Sequence, residues 1–446
     1  MTKKLNLRQV ELRSKLSVAQ KTDYYFLIDV VGTCNLRCPS CAVGNYSQPE
    51  AKGLMTVEIY KTVLKKIEQE NPNKKIFIHL YNYGEPILHK KLSEIISITK
   101  DFGFGCGISC NLNVFPNMAD VIRSAPTYIR ISLSGFKNSI YQKNHKQGDI
   151  NVVKSNMHLI RYYLDKYQVD TIIQVGFHTY KSNFPDDFFR MREMCMDLDF
   201  IFAPTLASMS PAEKAILAVD GLPLDEAAQS VQDDLVVSMK RRSELLKLDR
   251  ANYSDCQFRK MSTTINFDGS VALCCATYEK PQIISENFLS TSQNELNDRK
   301  YLHKFCKSCQ SRNLDLHYTG VGESQKAIEQ EAINILGDKY RDFLSEWNVS
   351  IEQTINWNGE DITIQKACDL ATEKKNIGNL LETKSLYSLV CKATPKHAEA
   401  RFQLGLLAEQ EGDLILALRL YNESIELFPG HSNYVIQRNS LNAKIS

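Results

Sequence analysis

The cysteines of this chain are the residues whose spacing most clearly suggests chemistry. Of the 13 cysteines, seven fall into two widely separated groups. The first group is Cys34-Asn-Leu-Arg-Cys38-Pro-Ser-Cys41, and the second consists of Cys256, Cys274, Cys306 and Cys309. Cysteine thiolates are ligands for zinc ions and for iron–sulfur clusters. The spacing therefore predicts two separate metal or cluster sites.

The first group supplies three ligands from one short loop. It follows the apolar run 24–31, which we interpret as a strand. A zinc site would normally show a second CxxC or HxxxH element nearby, whereas residues 42–105 contain no cysteine. A cubane iron–sulfur cluster has four irons, so three cysteines leave one iron for a ligand from outside the protein. The alternative is that these are three unrelated buried thiols.

A second motif follows one β-α-β unit later. The strand candidate 75–81 runs into Asn82-Tyr83-Gly84-Glu85-Pro86. The glycine permits close backbone approach, the proline stiffens the turn, and the acceptors suit a cationic amine. Together, the CxxxCxxC triplet and this element resemble the signature of the radical S-adenosylmethionine (SAM) superfamily. Two departures are Tyr83 in place of the first glycine of the family's GGEP element, and Ser40 where many members have an aromatic residue.

The resemblance implies a cofactor set and a reaction. A [4Fe-4S] cluster would be held by the triplet, with SAM chelating the fourth iron. One electron would cleave SAM to methionine and a 5′-deoxyadenosyl radical, which removes a hydrogen atom from the substrate. The implied cluster ligands are Cys34, Cys38 and Cys41. The residues implied in SAM binding are Tyr83, Gly84, Glu85, Asn111, and Ser132 or Ser134.

Strand and helix patterns alternate through the first half of the chain, which predicts six β-α units. The strand candidates are 24–31, 75–81, 105–111, 128–134, 171–178 and 200–204, and helical stretches lie near 56–70, 91–101, 117–124, 150–166 and 186–197. Right-handed crossovers would place all six strand ends on one face, where parallel-strand proteins have their sites. Tyr141, His145 and His178 are the candidates for catalytic residues near that face.

The second cysteine group surrounds a predicted hairpin that turns at Asp268-Gly269. By spacing alone, a zinc ion and an iron–sulfur cluster fit this group equally well. The pattern Cys-x12-Gly-x4-Cys followed by CxxC resembles the start of the SPASM extension of radical SAM enzymes. The resemblance implies a shortened "twitch" form, with one auxiliary [4Fe-4S] cluster fully ligated by Cys256, Cys274, Cys306 and Cys309. Cys275 is the alternative to Cys274.

The last part of the chain repeats itself. Gly378-Asn379-Leu380 and Tyr387 recur as Gly412-Asp413-Leu414 and Tyr421, each offset by 34 residues. This is the period of tetratricopeptide (TPR) repeats. Such a groove would hold a protein or peptide partner, or the helices would only brace the enzyme or support dimerisation.

Charge and cysteine usage exclude several classes of protein. With 54 basic and 52 acidic side chains, the chain lacks the net positive charge of a nucleic-acid binder. No apolar run reaches membrane-spanning length, and the N-terminal residues show no apolar segment of a secretory signal. An odd number of cysteines without an export signal favours reduced thiols. We therefore expect a cytoplasmic protein without nucleic-acid or membrane partners.

The predicted fold class is α/β: a partial (β/α)6 radical SAM barrel, a small α+β twitch/SPASM domain and an all-α TPR-like tail. The predicted domains are an N-terminal arm 1–23, a radical SAM core 24–205, a connector 206–252, an auxiliary Fe-S domain 253–320 and a helical TPR-like domain 321–446.

Three functions are compatible with this organisation. The leading hypothesis is a two-electron oxidation of a small molecule or a peptide, with electrons from a donor such as flavodoxin or ferredoxin. The second is a peptide-modifying SPASM maturase that makes a thioether, a C–C cross-link or an epimer, with a peptide or protein at the TPR-like tail. The third is a TPR scaffold with vestigial clusters, which the intact cysteine groups disfavour.

Overall fold

The computed structural model describes residues 9, 12–13, 15–17, 19–45, 53–320, 325–344, 354–395, 397–427 and 432–445. Residues 1–8 of the predicted N-terminal arm lie outside this range. The chain divides into two compact units. One comprises residues 22–192 and 203–337, and the other comprises residues 1–21, 193–202 and 338–446. The predicted domain boundaries remain predictions.

A nine-stranded sheet dominates the first unit. Its order is β6-β5-β4-β3-β2-β1-β7-β8-β9. The strands are β1 (Tyr24–Ile28), β2 (Ile76–His79), β3 (Gly105–Cys110), β4 (Tyr128–Leu133), β5 (Ile172–Thr179), β6 (Ile201–Leu206), β7 (Ser262–Ile265), β8 (Val271–Ala272) and β9 (Ile283–Ser285). Strands β1 to β5 pair in parallel with their neighbours in chain order. The parallel succession of strands and helices confirms the predicted α/β fold class.

Helices connect and follow these strands. They are α1 (Ala42–Asn45), α2 (Val57–Glu70), α3 (Leu92–Asp101), α4 (Met118–Arg123), α5 (Asn138–Asn144), α6 (Ile150–Tyr167), α7 (Asp186–Asp197), α8 (Ala212–Asp220), α9 (Glu226–Asp234), α10 (Met239–Leu245), α11 (Gln257–Met261), α12 (Gln293–Leu302), α13 (Lys304–Ser311), α14 (Leu314–Thr319) and α15 (Gln325–Leu336).

The first long helix shows how local sequence sets these elements. Thr56 precedes α2 in an extended conformation, and its side chain accepts a hydrogen bond from Ile59 N at 3.2 Å, which caps the helix. Residues Tyr60, Val63 and Ile67 recur at helical spacing and are fully buried. The helix therefore packs one apolar face onto the core and leaves the other exposed.

The sheet has two faces of different character. On one face, the strands present fully buried aliphatic residues such as Ile78, Ile108, Ile131 and Val175. The residues that alternate with them are more polar and half-buried, and include His79, Arg130 and His178. Because successive side chains of a strand point to opposite faces, the polar residues share one face of the sheet.

The predicted hairpin after Cys256 extends this same sheet. Strand β7 pairs in parallel with β1, with Tyr25 opposite Ser262, and β8 then pairs antiparallel with β7. The connecting turn is closed by a bond from Asn266 N to Ser270 O at 2.9 Å, and Gly269 adopts a positive φ of 86°. The second cysteine group is thereby attached to the edge of the first strand.

The connector differs from its prediction. The sequence pattern of the connector predicts one helix over about 225–248, whereas the structure has two helices, α9 and α10, separated by the buried residues 235–237. Ser238 then caps α10 by accepting from Arg241 N at 3.3 Å. Helix α8 was not predicted.

The second unit contains the hairpin β10 (Thr354–Trp357) and β11 (Glu360–Thr363), followed by α16 (Ile364–Asn376), α17 (Leu380–Ala393), α18 (Ala398–Gln410), α19 (Leu414–Leu427) and α20 (Ser432–Ile445). The pair α16–α17 recurs as α18–α19 with an offset of 34 residues at both helix starts. The C-terminal region is therefore helical, preceded by a hairpin that the sequence analysis did not predict.

Candidate functional site

The three cysteines of the first group lie on the loop between β1 and α1. Each is partly exposed, and none forms a disulfide. The loop closes on itself through a bond from Cys41 N to Cys38 O at 3.1 Å. A Cβ on Gly44 would lie 2.2 Å from Cys38 O, so only glycine permits this tight path. Burial raises the pKa of all three thiols.

The Gly84 element is fixed to the end of β1 by a buried aspartate. Asp29 Oδ2 accepts hydrogen bonds from Tyr83 N at 3.1 Å and from Gly84 N at 3.0 Å. Burial raises the pKa of Asp29 to about 6, and the backbone hydrogen bonds oppose this shift. A Cβ on Gly84 would lie only 1.5 Å from Val31 O. The element therefore needs both the glycine and the carboxylate.

A cavity of about 240 Å³ lies beside the Gly84 element. Asp29, Tyr83 and Gly84 form part of its wall, together with residues of the β7–β8 turn and of the segment 277–286. The ring of Tyr83 packs edge-on against Tyr278 at 5.2 Å between centroids. The cavity thus joins the predicted SAM-binding element to the region of the second cysteine group.

Glu85 and Asn111 hold the end of β3 against the cysteine loop. Glu85 is 3% exposed, and its carboxylate accepts from Asn111 N at 2.8 Å and from Ile87 N at 3.3 Å. The Asn111 side chain donates to Asn35 Oδ1 at 2.9 Å and contacts Cys34 Sγ at 3.6 Å. Both residues therefore contact the elements that carry the predicted site, and their roles toward SAM remain predictions.

The two predicted SAM-binding serines differ in accessibility. Ser134 is fully buried, and its hydroxyl is bonded to His145 Nδ1 at 2.9 Å. Ser132 is half-buried on the polar face of the sheet. The structure thus leaves Ser132 the more accessible of the two.

Two of the three predicted catalytic residues form a buried pair. The rings of Tyr141 and His145 stack at 4.5 Å between centroids, and Tyr141 accepts at its hydroxyl from Asn113 Nδ2 at 2.7 Å. Burial lowers the pKa of His145 to about 3, with a smaller contribution from His178. Their arrangement braces the loop after β4.

The third candidate, His178, lies half-buried on the polar face of the sheet near the end of β5. Burial, and secondarily the positive charge of Arg130, lower the pKa of His178 to about 4. A hydrogen-bonded cluster occupies the same face: Tyr128 OH lies 2.8 Å from His79 Nδ1 and 3.0 Å from Tyr81 OH. This face combines neutral imidazoles, phenols and one guanidinium.

The second cysteine group converges although its members are far apart in sequence. Cys256 precedes α11, Cys274 follows β8, and Cys306 and Cys309 lie on α13. The electrostatic effects on their pKa values link Cys256 to Cys274, Cys306 and Cys309. Burial is the largest cause of the raised pKa of each of these four thiols.

The structure also separates Cys274 from Cys275. Cys309 and Cys256 both act on the pKa of Cys274. Of the second cysteine group, only Cys256 acts on the pKa of Cys275. Cys275 affects the pKa values of Tyr25, Tyr81 and Tyr83, and Cys274 affects that of Tyr25 as well. These electrostatic links favour Cys274 over Cys275 as the fourth member of the group.

Both groups suit iron–sulfur clusters in the chemistry of their donors, since each offers only thiols in partly buried surroundings. Among the described residues, no three His, Cys, Asp or Glu side chains meet around one metal ion. Each cysteine of a cluster binds a different iron, so cluster ligands need not meet at one point.

Comparison with protein families identifies the first part of the chain. The family model described as the radical SAM superfamily matches residues 28–181. The match covers about a third of the chain. The matched segment begins at the last residue of β1 and contains β2 to β5, the cysteine triplet and the Gly84 element. No curated protein matches the chain.

Several solved structures resemble the chain at low identity. SuiB of Streptococcus suis bound to the precursor peptide SuiA has 11% identity and a TM-score of 0.42, over 67% of this chain and 70% of that one. Native anSMEcpe with bound AdoMet has 16% identity and a TM-score of 0.41, over 64% and 86%. BtrN in complex with AdoMet and 2-DOIA has 14% identity and a TM-score of 0.36, over 64% and 85%.

None of the helices in the described ranges is both long and apolar enough to cross a membrane.

Sequence reasoning missed two residues of the site. Asp29 directly follows the apolar strand β1, and only the fold brings it to the backbone of the Gly84 element. Arg130 lies between the buried residues Ile129 and Ile131. This alternation of apolar and polar residues along β4 predicts that the Arg130 side chain faces away from the aliphatic core.

Proposed function

We propose that this chain is a radical SAM enzyme that carries out a two-electron oxidation of its substrate with the help of one auxiliary [4Fe-4S] cluster. The observation that carries the proposal is the cysteine triplet at the end of β1 inside the radical SAM domain. Cys34, Cys38 and Cys41 would hold the SAM-binding cluster. When bound, this group supplies an electron that cleaves SAM to methionine and a 5′-deoxyadenosyl radical, which abstracts a substrate hydrogen atom.

The protein's own residues would orient SAM. Asp29 holds the backbone of Tyr83 and Gly84 in one position, so that their carbonyl groups are preorganised for the ammonium group. Asn111 and Glu85 connect this element to the cysteine loop. Ser132, on the accessible polar face, is our candidate for the ribose or carboxylate of SAM.

The second cysteine group supports the assignment of an oxidation. Four cysteines, Cys256, Cys274, Cys306 and Cys309, would complete the coordination of one cluster, which leaves no iron open for substrate. A closed cluster suits the acceptance of an electron from a substrate radical. We propose a flavodoxin or ferredoxin as the external donor and a cytoplasmic location.

The experiment is anaerobic reconstitution followed by reduction in the presence of SAM. We expect about eight irons per chain and release of 5′-deoxyadenosine. The Cys38→Ala variant should keep about four irons and release no 5′-deoxyadenosine. Release by that variant would contradict the role of the triplet, and zinc in place of the second four irons would contradict the auxiliary cluster.

A second candidate function is peptide modification. The observation that favours it is the recurrence of the helix pair α16–α17 as α18–α19 after 34 residues, the period of peptide-binding TPR repeats. Exposed Leu381 and Ile415, 79% and 85% accessible, stand at equivalent positions of the two pairs. Peptides that raise the yield of 5′-deoxyadenosine above the substrate-free yield would favour this function, and sugars or alcohols that do so would favour the first.

A further inference from the structure

We propose that Arg130 binds an anionic oxygen group of the substrate, a carboxylate or a phosphate, on the polar face of the sheet. This inference rests on the proposed function, because it assumes that the substrate enters the radical SAM domain. It adds a substrate class, namely negatively charged molecules or peptide side chains.

The position of Arg130 is set by the register of the sheet. It lies opposite Ser109 on β3 and opposite Gln174 on β5. It shares its face with the accessible Ser132, two residues further along β4. At 3.2–3.4 Å per residue, Arg130 lies about 7 Å deeper along the strand than Ser132. The side chain of Arg130 extends toward Ser132, because its guanidinium lies against Gly176, the residue opposite Ser132 on β5.

A glycine makes room for this guanidinium. A Cβ on Gly176 would lie 2.5 Å from Arg130 Nε and 2.7 Å from Nη2. The planar group thus lies directly over the backbone of β5, between that strand and the polar space above the sheet. Any larger residue at position 176 would push it away.

Among the residues that the structure describes, the charge of Arg130 has no protein partner. Within the described part of the chain, no side chain forms a hydrogen bond or ion pair with its guanidinium. A half-buried cation that is neither paired nor fully hydrated is costly, and an anionic ligand would remove that cost. Nearby His178 has a pKa lowered by burial to about 4, so at neutral pH it does not compete as a second cation.

The surroundings of Arg130 link it to the rest of the candidate site. The positive charge of Arg130 and the thiol of Cys275 both act on the pKa of Tyr81, in opposite directions and after burial as the main cause. Tyr81 in turn is bonded to Tyr128. An anion bound to Arg130 would therefore lie near other hydrogen-bond donors, namely His178 and the phenols of Tyr81 and Tyr128. These donors lie on the side of the site that leads toward the second cysteine group.

The test uses the reconstituted, SAM-loaded full-length protein and two probes, inorganic phosphate and glutarate, titrated by calorimetry. The wild type should bind at least one probe, and the tighter one identifies the source of the negative charge. Arg130→Gln should weaken binding at least about tenfold, and Arg130→Lys should weaken it less, because a charge-assisted hydrogen bond is lost only in the first.

Two further variants sharpen the result. Gly176→Ala keeps the charge but displaces the guanidinium, so it should also weaken binding of the probe. Arg123→Gln removes an exposed arginine that pairs with Asp120 at 2.8 Å, and it should bind the probe as the wild type does.

Several outcomes would overturn the proposal. These are no binding of either probe by the wild type, equal affinities of the wild type and Arg130→Gln, or a loss of SAM affinity in Arg130→Gln, which would place the guanidinium on SAM. If the wild type bound the probe through Arg130 but released no 5′-deoxyadenosine, the proposed function would fail while the anion site would stand.

Discussion

Replacement of Gly84 by alanine should detach the proposed SAM-binding element, residues 82–86, from the end of β1. The added Cβ would lie 1.5 Å from Val31 O, and real Cβ contacts are almost never under 3.0 Å, so the loop must retreat by about 1.5 Å. Three hydrogen bonds would then be broken: Tyr83 N and Gly84 N to Asp29 Oδ2, and Glu85 N to Thr33 O at 2.8 Å.

The size of the effect follows from these bonds. At about 1 kcal/mol each, their loss lowers the local opening free energy by roughly 3 kcal/mol. Since 1.4 kcal/mol corresponds to a factor of ten, exchange of the three amide hydrogens should accelerate about 100-fold. Hydrogen–deuterium exchange of peptides that contain residues 83–85 would measure this.

The control is Gly103→Ala. Gly103 has a positive φ of 74°, and a Cβ added there would meet no other residue within 4 Å, so an alanine costs about 1–2 kcal/mol of backbone strain without touching the site. Exchange at residues 83–85 should stay at the wild-type rate in this variant. Unchanged exchange in Gly84→Ala, or equal acceleration in both variants, would refute the reasoning.

Three other predictions concern single side chains. Burial raises the pKa of Asp29 from 3.8 to about 6, so folding favours the protonated carboxyl group. The contribution of Asp29 to the free energy of unfolding is therefore complete below pH 4 and falls by roughly 3 kcal/mol as the pH rises above 6. Urea unfolding of Asp29→Asn should lack this pH dependence, and an unchanged slope would contradict it. Cys274→Ser should lose about four irons on reconstitution whereas Cys275→Ser should keep about eight, and the reverse result would exchange their roles. Ser134→Ala leaves His145 Nδ1 without its 2.9 Å partner and should destabilise the protein by about 1–3 kcal/mol in thermal unfolding; a neutral effect with weaker SAM binding would instead assign Ser134 to SAM.

The alternation of strands and helices could be predicted from the sequence because it depends on local patterns. The predicted strand 128–134 is β4 at Tyr128–Leu133, and the predicted helix 186–197 has the same bounds as α7. The cysteine triplet follows β1 as expected. Hydrophobic periodicity and turn residues are local, and they act before tertiary contacts exist.

Features that depend on distant partners could not be predicted. The parallel pairing of β7 with β1 joins segments separated by the whole barrel, and no local pattern specifies it. The break between α9 and α10 arises because Leu235 and Val237 become buried against other elements. By contrast, the hairpin at 354–363 was predictable, because Asn358-Gly359 is an Asn-Gly pair, which is a strong local signal for a hairpin turn. In the structure, these two residues have the positive φ values, 52° and 85°, that such a turn requires.

We propose that the cysteine triplet after β1 holds the cluster to which SAM binds. Electron paramagnetic resonance of the reduced, reconstituted protein tests it directly, with and without SAM. We predict that SAM changes the spectrum of the wild type, and that a variant with Cys34, Cys38 and Cys41 all replaced by alanine retains one cluster signal that SAM does not alter. A SAM-dependent change in that variant, or no change in the wild type, would contradict the claim.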